Sequence, residues 1–172
     1  YEGAIHEQVT PAVLRAGGTV ADVDLTVIHH GYVGRNTQGG VERATRNLAL
    51  LEQMIAAGSD DPYVYYHIGA TYKSMQRAPE ARTALRRALA AGEEALGHEM
   101  ADLAHMKLAQ LALADNELVG AVRHAEASLA ANPDNLLSLH VLALALLFQG
   151  QVERAYPLFT RIRASAGERI ED

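Results

Sequence analysis

The amino-acid sequence predicts a mainly α-helical protein: three stacked helix pairs and a capping helix, after a small N-terminal α/β lobe. Three observations lead to this fold class. Apolar residues alternate near residues 23–27 but recur at three- and four-residue spacing from Val41 onward. Small residues then recur at matched intervals. Proline is rare, with 5 in 172 residues, which favours uninterrupted helices.

The first predicted elements are a strand and a short helix. The segment AIHEQV (4–9) suits a strand. Thr10 followed by Pro11 is a favourable helix start, because a capping hydroxyl precedes a residue whose φ is already helical. Gly17 and Gly18 are expected to end this helix.

A second strand and a capping helix are predicted next. Val23, Leu25 and Val27 alternate with polar residues, which is typical of a strand with one buried face. The loop GRNTQGG (34–40) ends this first region, residues 1–40. The amphipathic segment VERATRNLALLEQMIAA then predicts a capping helix, with a linker, over 41–61.

A repeated pattern of small residues follows, in which a small residue is succeeded by an alanine twelve positions later. The pairs are Gly69 with Ala81, Ala109 with Ala121, and Ala143 with Ala155. Small side chains at such positions let two helix axes approach closely. Successive repeats are 40 and then 34 residues apart, so extra residues are expected around EALGHE (94–99).

This pattern resembles the tetratricopeptide repeat (TPR), a helix pair of 34 residues. The match is best over PYVYYHIGATYKSMQRAPEARTALRRAL (62–89), while Pro133 and Gly150 occupy the closing and turn positions of later repeats. The resemblance implies a TPR-type α-α superhelix over residues 62–172. Its three repeats are expected at about 62–95, 102–135 and 136–169.

In such a stack, the first helix of each pair lines an inner, concave face where a partner is expected to bind. The residues that spacing places there are mostly apolar or aromatic. They are Tyr63, Tyr66, Lys73, Leu103, Met106, Gln110, Leu137, His140, Leu144 and Phe148. This set lacks the group of Lys and Arg residues that would bind a peptide carboxylate. We expect a protein or peptide, or a second copy of the chain, to cover it.

The helix predicted at 136–148, LLSLHVLALALLF, is apolar on nearly every side. Two interpretations are open: neighbouring helices cover it, or it marks a docking surface. No polar capping helix follows the last repeat, so dimerisation through this end, or further repeats beyond it, is expected.

Composition excludes several classes of function. The formal net charge of −6 disfavours a nucleic-acid partner, because a phosphate backbone selects for clustered Lys and Arg. The absence of cysteine excludes disulfides and zinc-thiolate sites, and a cytoplasmic location is expected. No apolar run reaches the roughly 18 residues of a membrane-spanning helix.

The eight histidines form no recognisable metal motif. His6 and Glu7 resemble the start of H-E-x-x-H, but Thr10 occupies the second histidine position. His29 and His30 are adjacent on a predicted strand, so their side chains point to opposite faces. No two of the histidines expected in helices are four residues apart, and a structural or surface role is expected for them. They are His67, His105, His124 and His140.

The N-terminal region carries a second resemblance. The segments GAIHEQ (3–8), HHGY (29–32) and RNLALLE (46–52) precede DPY (61–63). This order is similar to the C-terminal end of bacterial family 2 glycosyltransferases, in which TPR repeats follow the nucleotide-sugar-binding domain. The resemblance implies that residues 1–40 are the remnant of a catalytic domain in a longer enzyme.

That parent enzyme would transfer a sugar from a nucleotide-sugar donor. A divalent cation, Mn²⁺ or Mg²⁺, would bind the donor diphosphate, with His6 as one of its ligands. No nucleotide site precedes His6 in this chain. We therefore expect the chain alone to be inactive and to hold no cofactor, and its repeats to bind partners, position an acceptor or assemble the enzyme.

Two other functions remain open. The chain is also consistent with a stand-alone TPR adaptor that binds a peptide or helix in its groove, or with a purely structural oligomerisation module. An Asp-x-Asp motif encoded upstream of Tyr1 would favour the glycosyltransferase. An initiator methionine immediately before Tyr1 would favour the adaptor.

Overall fold

A computed structural model of the chain describes residues 10–21 and 38–168. It divides into two compact units, Tyr1–Asp60 and Asp61–Asp172. The described residues form helices and turns and contain no strand, so the mainly α fold class is confirmed. The strands predicted at 4–9 and 23–27 lie outside the described residues.

The first unit contains the helices α1 (Thr10–Arg15) and α2 (Gln38–Ala56). After α1, the backbone N–H of Gly17 donates to Leu14 O at 3.0 Å, and Gly17 has a φ of +77° that favours glycine. Helix α2 begins three residues before the predicted start at Val41 and includes two buried leucines, Leu48 and Leu51. The capping role of residues 41–61 stays a prediction.

The second unit contains seven helices within residues 61–168. They are α3 (Pro62–Ser74), α4 (Ala78–Ala90), α5 (Glu93–Leu96), α6 (His98–Ala114), α7 (Leu118–Ala131), α8 (Leu136–Phe148) and α9 (Val152–Glu168). Helices α3 and α4, α6 and α7, and α8 and α9 pack as three pairs. Asp61 caps α3 by accepting from the Tyr63 N–H at 2.9 Å, and Pro62 occupies the first helical position.

The first helix of each pair ends in the same hydrogen-bonded turn. The second residue after the helix has a left-handed backbone: Gln76 with φ +61°, Asn116 with φ +59° and Gly150 with φ +76°. In the first pair, the Gln76 N–H donates to Lys73 O at 3.1 Å and the Arg77 N–H donates to Tyr72 O at 2.9 Å. The other two pairs repeat these bonds, which satisfy the last carbonyls of each helix.

The small residues mark close helix crossings. A Cβ atom at Gly69 would lie 2.7 Å from Leu85 Cγ and 3.1 Å from the backbone N of Leu85, so α3 and α4 touch at this point. The equivalent residues of the later pairs, Ala109 and Ala143, are fully buried. The spacing of small residues therefore reflects helix packing.

The extra residues between the first two pairs form the short helix α5. It lies between Gly92 and Gly97, both of which have positive φ. Leu96 from α5 is buried in the core that Tyr66, Leu85 and their neighbours form. Because Gly97 ends α5, α6 begins at His98, one turn before the predicted start at 102.

The packing of the pairs gives the second unit an inner and an outer row of helices. Helix α6 contacts both α3 and α8, so the first helices of successive pairs touch. The second helices, α4, α7 and α9, make no close backbone contact with one another, and the exposed Arg154–Glu126 ion pair joins α9 to α7. Because the first helices are closer together than the second helices, the stack of pairs must curve. The first helices, α3, α6 and α8, therefore form its concave side.

A buried carboxylate joins the second and third pairs. Asp102 on α6 accepts hydrogen bonds from the Ser128 hydroxyl on α7, from Asn132 Nδ2 at 3.1 Å and from Asn135 Nδ2 at 2.9 Å. The Ser128 and Ser138 hydroxyls are 2.5 Å apart, which extends the cluster to α8. These hydrogen bonds give the carboxylate of Asp102 its donors, which it needs because the side chain is almost fully buried.

Candidate functional site

Most of the predicted groove residues are accessible on the inner helices of the second unit. Partly or fully exposed side chains include Tyr63, Lys73, Gln110, His140, Leu144 and Phe148. Two of the predicted residues are buried: Tyr66 is 5% exposed and Met106 is 6% exposed. Because these side chains are buried, Tyr66 within the core that includes Leu85, they offer a partner little contact area.

Aromatic rings cluster at the α3 end of the inner face. The His67 ring lies 4.3 Å from the Tyr63 ring and 5.1 Å from the Tyr66 ring, centroid to centroid, in edge-on arrangements. Burial, aided by nearby Tyr63, raises the pKa of Tyr66 to about 12. Tyr66 therefore stays a neutral phenol at physiological pH.

Two half-buried lysines lie on the same two helices, α3 and α6. Lys73 is in the last turn of α3, and Lys107 is in the middle of α6 with its Nζ 5.8 Å from the centroid of the Tyr66 ring. Burial lowers the pKa of Lys73. Burial, and then the charge of Lys73, lower the pKa of Lys107, while Asp102 opposes this shift. The sequence analysis missed Lys107, because spacing alone did not place it on the inner face.

The far end of the inner face is apolar. On α8, the exposed fractions are 54% for Leu137, 40% for Leu147 and 62% for Phe148, and Leu144 is half-buried beside them. The opposite side of α8 is covered by α7 and α9. Neighbouring helices therefore cover only some of the apolar side chains of α8, and the others are exposed to solvent.

A histidine pair connects α6 and α7. The Nδ1 atoms of His105 and His124 are 3.0 Å apart, and His105 Nε2 lies 3.4 Å from Glu93 Oε1. Burial, followed by the neighbouring charges of His105, Arg123 and Arg86, lowers the pKa of His124 to about 4. The sequence analysis searched for histidines on one helix and missed this pair, which forms only when two helices pack.

No metal site is evident in the part of the chain that the structure describes. Across residues 10–21 and 38–168, no three His, Asp or Glu side chains are grouped to hold an ion. His6, His29 and His30 lie outside these ranges, so the metal-binding role of His6 stays a prediction. Among the helices described, none is long and apolar enough to cross a membrane.

Comparison with known proteins identifies the fold. No protein-family model matches the chain, and no curated protein matches it. The solved structure titled "MamA MSR-1 C2" is similar, with a TM-score of 0.61 and 19% identity over 76% of this chain and 72% of that chain. "Crystal structure of MamA" has a TM-score of 0.57 and 16% identity over 85% of this chain and 100% of that chain. These proteins are TPR-like, so the chain has a TPR-type helical repeat fold.

Proposed function

We propose that the second unit is a protein-interaction module whose inner face binds a segment of another protein. The exposed apolar strip on α8 carries this proposal, because a large apolar surface in water favours burial against a partner. The TPR-type fold supports it, since a curved row of helices presents a long binding surface.

The partner that fits this surface is a helix or an extended segment with apolar side chains. Leu137, Leu144 and Phe148 are spaced along α8 so that they can contact successive turns of a docked helix. The polar groups nearer α3 would then contact its other end. A second copy of the chain is the alternative partner.

We further propose that this module serves a bacterial family 2 glycosyltransferase as its C-terminal region. The order of GAIHEQ, HHGY and RNLALLE before the repeats supports this parentage. The parent would transfer a sugar from a nucleotide-sugar donor with a divalent cation, while the repeats position the acceptor or a partner. The full-length gene product should turn over a nucleotide-sugar. This activity should be lost in His6→Ala, and adding Mn²⁺ or Mg²⁺ should not restore it.

The interaction proposal is tested by selecting displayed random peptides against the chain. We expect selected peptides to lose about tenfold or more in affinity for Phe148→Asp. The matched control is Tyr156→Asp, because Tyr156 on α9 is 72% exposed and lies on the outer row. Equal losses in the two variants would contradict the proposal. A stable dimer that Phe148→Asp dissociates would instead identify a second copy as the occupant.

A further inference from the structure

The His105–His124 pair is the middle of a polar chain that runs from α5 through α6 to α7. The two Nδ1 atoms are 3.0 Å apart, and the ring centroids are 5.3 Å apart with 35° between the ring planes. The other nitrogen of His105, Nε2, lies 3.4 Å from Glu93 Oε1 on α5. The other nitrogen of His124, Nε2, lies 3.4 Å from Arg123 Nη2. Each imidazole ring is therefore in contact through both of its nitrogen atoms.

The groups at the two ends of this chain decide which nitrogen atoms carry protons. Arginine only donates hydrogen bonds, so His124 Nε2 accepts from Arg123 and the proton of neutral His124 lies on Nδ1. That N–H donates to His105 Nδ1, so the proton of neutral His105 lies on Nε2, where the Glu93 carboxylate accepts it. The reverse arrangement would place a bare nitrogen against the carboxylate and an N–H against the guanidinium. The hydrogen bonds therefore all run in one direction, from Arg123 to Glu93.

The contact between the two rings has room for only one proton. One N–H faces one lone pair between the Nδ1 atoms, and a first added proton goes to His124 Nε2 and leaves this contact intact. When both rings are charged, two N–H groups face each other across 3.0 Å, and the hydrogen bond is replaced by repulsion. The two histidines therefore titrate as a coupled pair, and the second proton separates them.

The surrounding charges decide which ring moves. Burial is the main reason that the pKa of His124 falls to about 4, and three neighbours act in the same direction: His105 on α6, Arg123 on α7 and Arg86 on α4. Helix α8, which also packs on α7, carries no Asp, Glu, Lys or Arg, and its single histidine is exposed. The carboxylate of the chain, Glu93, contacts His105. A charged His105 therefore gains an ion pair, whereas a charged His124 faces two arginines.

The chain joins two helices that are otherwise separate. Helices α5 and α7 make no close backbone contact with each other. Leu96 anchors α5 in the core shared by α3, α4 and α6, while Glu93 connects it through His105 to α7. Gly92 and Gly97, which flank α5, both have positive φ, and an added Cβ at either would meet no atom within 4 Å. The short helix thus has open space at both of its ends.

We propose that this polar chain is an acid-sensitive switch that joins the inserted helix α5 to the second helix pair. At neutral pH, His105 bridges Glu93 on α5 and His124 on α7. When both rings are charged, His105 keeps Glu93 and His124 turns toward solvent, so α5 and α7 are no longer joined. The switch is separate from partner binding on the inner face and does not depend on it.

Imidazole nitrogen signals test the direction of the chain. Long-range ¹H–¹⁵N spectra distinguish Nδ1–H from Nε2–H in each ring, and His105→Gln and His124→Gln identify the two rings among the eight histidines. At about pH 8 we expect the proton of His124 on Nδ1 and that of His105 on Nε2. Any other tautomer in either ring would overturn the switch.

Charge variants test the acid step through the same signals. Glu93→Gln should lower the pH at which the pair titrates, because it removes the negative charge that favours a charged His105. Arg123→Gln should raise that pH, because it removes a positive charge beside His124. We expect shifts of about half a pH unit or more, in opposite directions. The matched control, Arg163→Gln, removes an exposed charge from α9 and should shift neither ring. Shifts in the same direction, or no larger than in the control, would contradict the proposal.

Contacts between the rings give the final readout. Nuclear Overhauser effects between His105 and His124 should be present at about pH 7 and lost once both rings are charged, below about pH 4. Those between Leu96 and Tyr66, which share a core, should persist. Ring contacts that survive full protonation would overturn the switch. Loss of both sets of contacts at the same pH would also overturn it, because the acid effect would then be global unfolding.

Discussion

At the residue scale, Gly69 shows how one missing side chain sets the distance between two helices. A Cβ at this position would overlap the Leu85 side chain and would lie tightly, at 3.1 Å, against the Leu85 backbone nitrogen, which a rotamer change cannot move. Gly120 lies in α7 with its nearest neighbour, Ala112 Cβ, at an ordinary 3.6 Å from an added Cβ. The structure therefore has no room for an added methyl group at Gly69 but accommodates one at Gly120.

We predict that Gly69→Ala lowers the free energy of unfolding by about 1–3 kcal/mol, because it overpacks the crossing of α3 and α4. Gly120→Ala is the matched control and should be neutral or should stabilise by up to about 1 kcal/mol, since alanine favours a helix. Urea unfolding followed by circular dichroism measures both values. Equal effects of the two substitutions would contradict this account of the crossing.

The His105–His124 pair predicts a dependence of stability on pH. The folded pKa of His124, about 4, is below its ordinary value of about 6.5, so the unfolded chain binds more protons between these two values. The contribution of His124 is thus fully present above about pH 6.5 and is lost as the pH falls toward 4. We expect the melting temperature to fall over this range.

Variants separate this effect from general acid destabilisation. His124→Gln should flatten the slope between pH 6.5 and 4, because it removes the group whose pKa shifts. His140→Gln is the control, since His140 is exposed on α8, and it should leave the slope unchanged. Melting temperatures at half-unit intervals of pH compare the three proteins. If the melting temperature of His124→Gln fell with pH as steeply as that of the unaltered chain, groups other than His124 would cause the acid sensitivity.

At the element scale, the junction of α6, α7 and α8 depends on Asp102. We predict that Asp102→Ala lowers the free energy of unfolding by about 2–4 kcal/mol, because it leaves Ser128, Asn132 and Asn135 without their buried acceptor. Asp134→Ala is the control: its ion pair with Arg161 is exposed and should contribute less than about 1 kcal/mol. Chemical denaturation measures the free energy of unfolding of both variants. A loss in Asp102→Ala as small as that in Asp134→Ala would contradict a structural role for Asp102.

Helices and their crossings were predictable because their signals are local. Thr10-Pro11 and the small-residue spacing depend on neighbouring residues or on a fixed repeat. The start of α6 was not predictable, since it depends on Leu96 entering a core built from other helices. The left-handed turns at Gln76 and Asn116 also carry no glycine signal, and only Gly150 does.

At the scale of the whole molecule, the candidate site was predictable only as a surface. Gln110, His140 and Phe148, which helical spacing predicted to line the groove, are accessible on α6 and α8, and their contact with a partner stays a prediction. Helical spacing did not identify Lys107, because the position of its Nζ, 5.8 Å from the Tyr66 ring centroid, arises from the packing of α3 on α6. The burial of Tyr66 likewise depends on the tightness of that packing.

The contrast between the touching inner helices and the separated outer helices has a mechanical consequence. Helices α4, α7 and α9 make no close backbone contact with one another and α9 meets α7 through the exposed Arg154–Glu126 ion pair, whereas α6 packs directly against α3 and α8. Narrowing is therefore resisted by side chains in direct contact, while widening meets resistance only from stretched contacts. We therefore expect the concave face of the second unit to widen more easily than it narrows.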